Sequence, residues 1–151
     1  MIKMKKQTGF TLLEVMVAML VLSIGLLGLA GLMASSMRNN QGAYHRTQAT
    51  WLAYDALDRL RANRVAALAG GYSDADALGD PAACLATAPT GTVVAQDIGG
   101  WKNMIACALP EGDGAIDVDT SNSQVTVTIQ WNDSRGTGGD STQQFIVESR
   151  L

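Results

Sequence analysis

Between Glu14 and Arg38 the chain runs for 23 residues, Val15 to Met37, without one charged side chain. No other stretch limits the fold so strongly. About 20 apolar residues cross the hydrocarbon core of a bilayer as a helix, the form in which a lone segment satisfies its own backbone there. Lys3, Lys5 and Lys6 are the only charges ahead of Glu14. A basic cluster before a span holds that end in the cytoplasm while the rest crosses. The expectation is a single-pass anchor, N-terminus inside and body outside.

Two details set this anchor apart from a generic one. An ordinary secretory signal is cut after its apolar stretch, whereas the plausible processing point here, Gly9 to Phe10, comes before it. The helix is therefore expected to survive in the mature protein. Glu14 is the second detail. A carboxyl group inside a bilayer costs roughly 2.5 to 3.5 kcal/mol on insertion scales, so a plain anchor gains nothing from it. If cleavage exposes the amine of Phe10, the acid lies four residues on, one helical turn away and near the positive end of the helix dipole. Its carboxylate can then meet the ammonium of its own chain or that of a neighbour. The second option is a polymerisation device.

The run Gly9-Phe10-Thr11-Leu12-Leu13-Glu14-Val15 resembles the class III signal of type IV pilins and type II secretion pseudopilins. That resemblance implies cleavage after Gly9 by a prepilin peptidase, N-methylation of Phe10, and an assembly role for Glu14. Leu22 to Leu32 with Arg38-Asn39-Asn40, and the C-terminal Val125 to Asp133 followed by a last apolar strand ending in Arg150-Leu151, are similar to minor pilins of the type IV pilus modification (PilV) kind. Residues 70 to 100 carry little of the likeness. The chain departs from major pilins in having no Pro before Pro81, where those carry a kinking Pro in the apolar segment. Gly25, Gly28 and Gly31 stand there instead. Each costs a helix roughly 1 kcal/mol relative to Ala, and close packing of helices through small residues is the favoured reading, with local stretching compatible.

Removing nine leader residues from 151 leaves 142, enough for one membrane-proximal helix and one small globular head. The mature chain then has 8 basic and 14 acidic residues. Arg38 to Ala69 carries five Arg against two Asp, and Gly70 to Leu151 three basic against eleven acidic residues. A positive stem and negative head could attract across subunits, but an acidic, soluble surface is the plainer account. An acidic head also argues against nucleic-acid binding.

The expected fold is α+β and type IV pilin-like: a long N-terminal helix, its lower half transmembrane, packed on a small antiparallel β-sheet head. The divisions expected are a leader over 1–9, an assembly half of the helix over 10–37, a periplasmic half over 38–69 and a head over 70–151. An unbroken helix from Phe10 to Ala69 would be 60 residues and roughly 90 Å long at 1.5 Å per residue, stopped by Gly70-Gly71. Tyr44, Ala49, Trp51, Leu52, Ala56, Leu57, Leu60, Val65 and Leu68 recur at threes and fours. Trp51 and Tyr54 are read as core. A surface connection follows over 71–96, then a short helix over 97–109, capped by Asp97 and lined by Trp101, Ile105 and Leu109. Strands are expected at about 115–119, 124–131 and 143–150, the last two joined as a hairpin.

Cys84 and Cys107 lie beyond the span, in an oxidising compartment, and two is the number one bridge needs. The alternative is two unrelated buried thiols. Catalytic chemistry finds no footing: His45 is the only His, and no nucleophile motif, metal-spaced set or phosphate loop is present. The acidic runs Asp74-Ala75-Asp76 through Asp80, and Asp113 through Asp117 and Asp119, lack a full calcium loop and read as solvated turns. No cofactor or metal is expected.

The resemblance implies a non-catalytic minor pilin, stored in the inner membrane with its head in the periplasm and then carried to a cell-surface pilus. It would help prime pilus assembly and so support adhesion and twitching motility. Partners implied are the prepilin peptidase, other minor pilins, the major pilin, the pilus assembly platform and a tip adhesin. The alternatives are a minor pseudopilin of type II secretion and a membrane-tethered periplasmic binding module that never polymerises.

Overall fold

The computed structural model describes residues 9–73, 78–79, 81, 83–136 and 138–151. Its elements are three helices, α1 (Leu12–Ala62), α2 (Arg64–Leu68) and α3 (Val93–Ala108), then three strands, β1 (Asp113–Asp119), β2 (Gln124–Trp131) and β3 (Gln143–Arg150). The strands form one antiparallel sheet in the order β1-β2-β3. The architecture is α+β and pilin-like, a long N-terminal helix followed by a small antiparallel sheet. The chain divides into two compact units, Met1–Met37 and Arg38–Leu151.

In the first unit, residues 12–37 are helical and every residue from Phe10 to Met37 is exposed. Among the described residues α1 is the one helix long and apolar enough to cross a membrane. Gly25, Gly28 and Gly31 do not interrupt it, and a Cβ built on any of them would meet nothing within 4 Å.

The second unit closes a core. Its helical face is Ala49, Leu52, Ala53, Ala56, Leu57 and Leu60, all buried, spaced at the threes and fours that line one side of a helix. Trp51 and Tyr54 are not in it: they are 66% and 52% exposed, which corrects their assignment to the core. Tyr44 and Val65 are also exposed. Small Ala residues face the sheet in their place, and the bulk comes from α3, whose Trp101 and Ile105 are fully buried. The Trp101 indole nitrogen donates to the Leu52 carbonyl at 2.8 Å. That bond supplies the partner a buried indole N–H requires.

Each strand sends alternate residues into this core. Val125, Val127, Ile129 and Trp131 of β2 are buried, and across the ladder Val127 faces Ile116 on one side and Val147 on the other. Strand β1 begins at Asp113, two residues before the expected start, because α3 lies directly over Gly114. A Cβ there would fall 2.5 Å from both Ile105 Cδ1 and the Trp101 ring. Only glycine admits so close a helix.

The helices also differ from expectation at their ends. α1 stops at Ala62 and Asn63 leaves the helical region at φ −118°, ψ 46°, before α2 resumes, so the expected 60-residue helix is broken. Asn63 there donates its side-chain amide to the Tyr72 hydroxyl at 3.2 Å. Gly70, at φ +80°, closes the end of α2 in the left-handed conformation that favours glycine. α3 starts four residues ahead of Asp97, with Thr92 as its cap: the Thr92 Oγ1 accepts from the Ala95 amide at 3.2 Å. The Gly99-Gly100 pair sits inside this helix, and a Cβ on Gly99 would approach Pro89 Cβ to 3.0 Å. The connection from α2 is thereby pressed against α3, and it ends before Thr92, short of the expected 96.

Candidate functional site

Thr11 caps α1. Its carbonyl accepts from the amides of Glu14 at 3.1 Å and Val15 at 3.3 Å, and its hydroxyl accepts a second bond from Glu14 at 3.3 Å. Threonine followed three residues later by glutamate is the spacing of a capping box. Glu14 sits in the first turn, where the sequence placed it against the positive end of the helix dipole; the Thr11 cap itself is what the sequence reading missed. The signal was present as Thr11-Leu12-Leu13-Glu14.

The cap also fixes what lies ahead of it. Gly9 and Phe10 precede the helix and are exposed, Phe10 to 84%. Phe10 and Glu14 line one open groove of about 450 Å³ with Val15, Ala18, Met19 and Leu22. Cleavage after Gly9 would turn the Phe10 amide into an amine at the rim of a groove that already holds a carboxylate. Ammonium and carboxylate attract strongly once water is excluded, which a second apolar helix laid along the groove would do.

In the second unit, the sulfurs of Cys84 and Cys107 are joined, with their Cα atoms 4.8 Å apart, inside the range a disulfide needs. The bridge ties the connection to α3. Asn103 adds two bonds beside it, accepting from the Leu85 amide at 2.7 Å and donating to its carbonyl at 3.0 Å. His45 lies on α1 with its Nδ1 buried and 3.8 Å from Asp133 Oδ1.

The acidic run from Asp74 through Asp80 lies outside the described residues. Asp113 is buried at the start of β1 and accepts from the amides of Gly79 and Gly114 at 3.0 and 2.7 Å. Asp117 and Asp119 are exposed on the same strand. Ser121 donates to Asp119 from its hydroxyl and its amide, and these bonds hold the Asp119 carboxyl below its usual range. Among the described residues no three His, Cys, Asp or Glu side chains converge as a metal site. A buried polar chain instead joins the helices. Tyr72 donates to Asp97 Oδ2 at 2.5 Å, and Arg59 lies 3.5 Å from the other Asp97 oxygen while bonding Asp55 at 2.7 Å. Burial, with the Asp97 carboxylate next, pushes the Tyr72 hydroxyl up. Asp97 thus belongs to a structural network and not to a cap.

Residues 4–30 match the family model described as the prokaryotic N-terminal methylation motif. No curated protein and no solved structure matches the chain. The matched segment is a class III signal: it implies processing by a prepilin peptidase and a membrane location, and it marks a substrate of the type IV pilin-like or pseudopilin type. Such a motif points to a structural subunit. The apolar helix and the motif together fit a single-pass protein of the inner membrane.

Proposed function

We propose that the chain is a minor pilin of a type IV pilus, a non-catalytic subunit that takes part in priming pilus assembly and so supports adhesion and twitching motility. The observation carrying this reading is the register of the matched segment. Gly9 and Phe10 stand exposed immediately ahead of a capped helix, and Glu14 shares a groove with Phe10 on a surface of exposed apolar residues. The prepilin peptidase cuts after Gly9 and methylates Phe10. The subunit waits in the inner membrane with its head in the periplasm, then joins sibling minor pilins, the major pilin, the assembly platform and a tip adhesin at the cell surface. Glu14 meets the Phe10 amine of a neighbour as the helices come together.

Mass analysis of the chain from cells with active peptidase tests the first step. The expected species begins at N-methylated Phe10 and lacks residues 1–9. An intact Met1 terminus would sink the pilin and pseudopilin readings together and leave the tethered periplasmic module. Crosslinking in intact envelopes tests the second step, because the same motif serves both assemblies. Recovery of type IV pilus subunits is expected, whereas recovery of type II secretion components alone would assign the chain as a pseudopilin.

A further inference from the structure

The second unit holds a charged cleft that neither processing nor helix assembly uses. It occupies about 250 Å³ between one face of α1, lined by Arg38, Asn39, Gly42 and Arg46, and the β2–β3 loop, which supplies Asp133 and Gly136. The loop is wound around Asp133. The Asp133 amide donates to the Asp140 carbonyl and its own carbonyl accepts from the Gly136 amide, both at 2.8 Å. A Cβ on Gly139 would overlap the Asp133 carbonyl, and Cβ atoms on Gly42 and Gly136 would sit 3.5 and 3.1 Å from its carboxylate oxygens. Glycines therefore clear the space about this one acid.

The charges in the cleft are unspent. The Asp133 side chain is only 7% exposed, yet among the described residues no donor hydrogen-bonds its carboxylate. His45 Nδ1, itself without a partner, stops 3.8 Å away. Asp133 lines the open cleft, so its carboxylate can take a donor from another molecule. Neither Arg38 nor Arg46 is paired with a carboxylate among the described residues. Two guanidiniums beside one recessed acid select a ligand carrying both signs: an oxyanion for the arginines and a hydrogen-bonding cation for the acid.

Position in the chain names the source. Arg38 is the first charge after the 23 uncharged residues, which puts it at headgroup level if that stretch spans the bilayer. Arg46 is eight residues further along the same helix and lines the same cleft, so the two guanidiniums can share one phosphate. We propose that this cleft binds the zwitterionic headgroup of a phosphatidylethanolamine-type lipid, its phosphate between Arg38 and Arg46 and its ammonium on Asp133. The inference rests on the reading of Val15–Met37 as a membrane span. It gives the stored subunit a specific lipid to release on leaving the membrane. A choline headgroup fits less well because a trimethylammonium has no N–H to give the carboxylate, and a glycerol headgroup has no cation at all.

The full mature chain in nanodiscs of mixed phosphatidylethanolamine, phosphatidylcholine and phosphatidylglycerol, released and weighed with its retained lipid, tests this. Phosphatidylethanolamine is expected to be retained about tenfold over the other two, the scale of one charge-assisted hydrogen bond. Asp133→Asn should erase that preference, and the exposed pair Arg38→Gln with Arg46→Gln should lower retention of all three lipids. Equal retention by the wild type, an undiminished preference in Asp133→Asn, or unchanged retention in the arginine pair would each overturn the proposal. Tighter binding of soluble phosphoethanolamine than of the lipid, read as displacement by an equimolar amount, would assign the cleft to a free zwitterion instead of a lipid. Failure of the wild type to enter nanodiscs would sink the span reading and this proposal with it; entry without preference would sink this proposal alone.

Discussion

Leu27 and Leu57 are the same residue type on the same helix, and one is 73% exposed while the other is 1% exposed. Leu27 belongs to a unit in which no residue from Phe10 to Met37 finds cover. Leu57 belongs to a unit whose helix, sheet and α3 close over it. Apolar character alone therefore does not decide burial; a complementary surface within the chain does. At about 25 cal/mol per Å² of apolar surface, the uncovered segment has a large drive to leave water, for lipid or for other helices. The head has already spent its own drive on folding.

Glu14→Ala attacks the first side of that contrast and has the largest expected effect. Membrane insertion should stay intact or improve, since roughly 2.5 to 3.5 kcal/mol of insertion cost is removed. Recovery with sibling pilins should fall by about a hundredfold or more, the scale expected when one partner of a desolvated ion pair is lost. Membrane fractionation and co-purification read the two separately. Wild-type co-purification would count against the neighbour's amine as the partner of Glu14. Loss of insertion would show that the carboxylate serves the helix cap before it serves assembly.

Two tryptophans sharpen the second side. Trp101→Ala should destabilise the head by about 3 to 5 kcal/mol, through its cavity and the bond lost to the Leu52 carbonyl. Trp51→Ala should change stability by less than about 0.5 kcal/mol, because its ring faces solvent. Urea unfolding of the full chain in detergent measures both. Similar losses would mean that Trp51 is covered after all, and the helix would have to be rotated about its axis.

The same pair explains what could be read from sequence. Strands β2 and β3 were legible to the residue because alternation with a period of two leaves little freedom. The face of α1 was legible in part: Ala49, Leu52, Ala56, Leu57 and Leu60 were read onto it and are buried, Ala53 was missed, and Trp51 and Tyr54 were wrongly added. Its core is half alanine, at Ala49, Ala53 and Ala56, and alanine carries little pattern, so the aromatics at 51 and 54 drew the weight. Asp113-Gly114 reads as a turn when the closeness of Trp101 and Ile105 is unknown. The helix around Gly99-Gly100 was expected to begin at Asp97, because nothing in the sequence shows Pro89 packed against Gly99 or Thr92 capping four residues earlier. At the N-terminus, the methylation motif was legible because its residues must stand in one local register along the chain. His45 and Asp133 were not, since they meet only through the fold.

The disulfide tests how far the head's closure depends on covalent help. Replacing Cys84 and Cys107 by Ser removes a bridge across 23 positions, which in the chain-entropy model contributes roughly 3 kcal/mol. The unfolding midpoint should drop accordingly, and non-reducing mass analysis of the wild type should find two hydrogens fewer than for free thiols. An unchanged midpoint would mean that the Asn103–Leu85 bonds and the packing of α3 already hold the connection.

A smaller loss than at Trp101 or the disulfide is expected at Tyr72, where the head buries polarity instead of apolar surface. Tyr72→Phe keeps the ring but removes the hydroxyl that receives from Asn63 and donates to Asp97, a loss of about 1 kcal/mol for one net hydrogen bond. Its pH signature separates it from simple repacking. Burial, then the Asp97 carboxylate, raises the folded-state hydroxyl above its ordinary value of 10.0. Below that value the hydroxyl is protonated in both states and its contribution is complete. As the pH climbs past it, the unfolded chain gives up the proton first, so stability falls until the folded hydroxyl ionises as well. Urea midpoints taken from about pH 8 to about pH 11 should therefore decline for the wild type and decline less for Tyr72→Phe, with the two curves converging at the alkaline end. Parallel curves would show that the alkaline loss comes from other groups and that the Tyr72 hydroxyl is not held by Asp97.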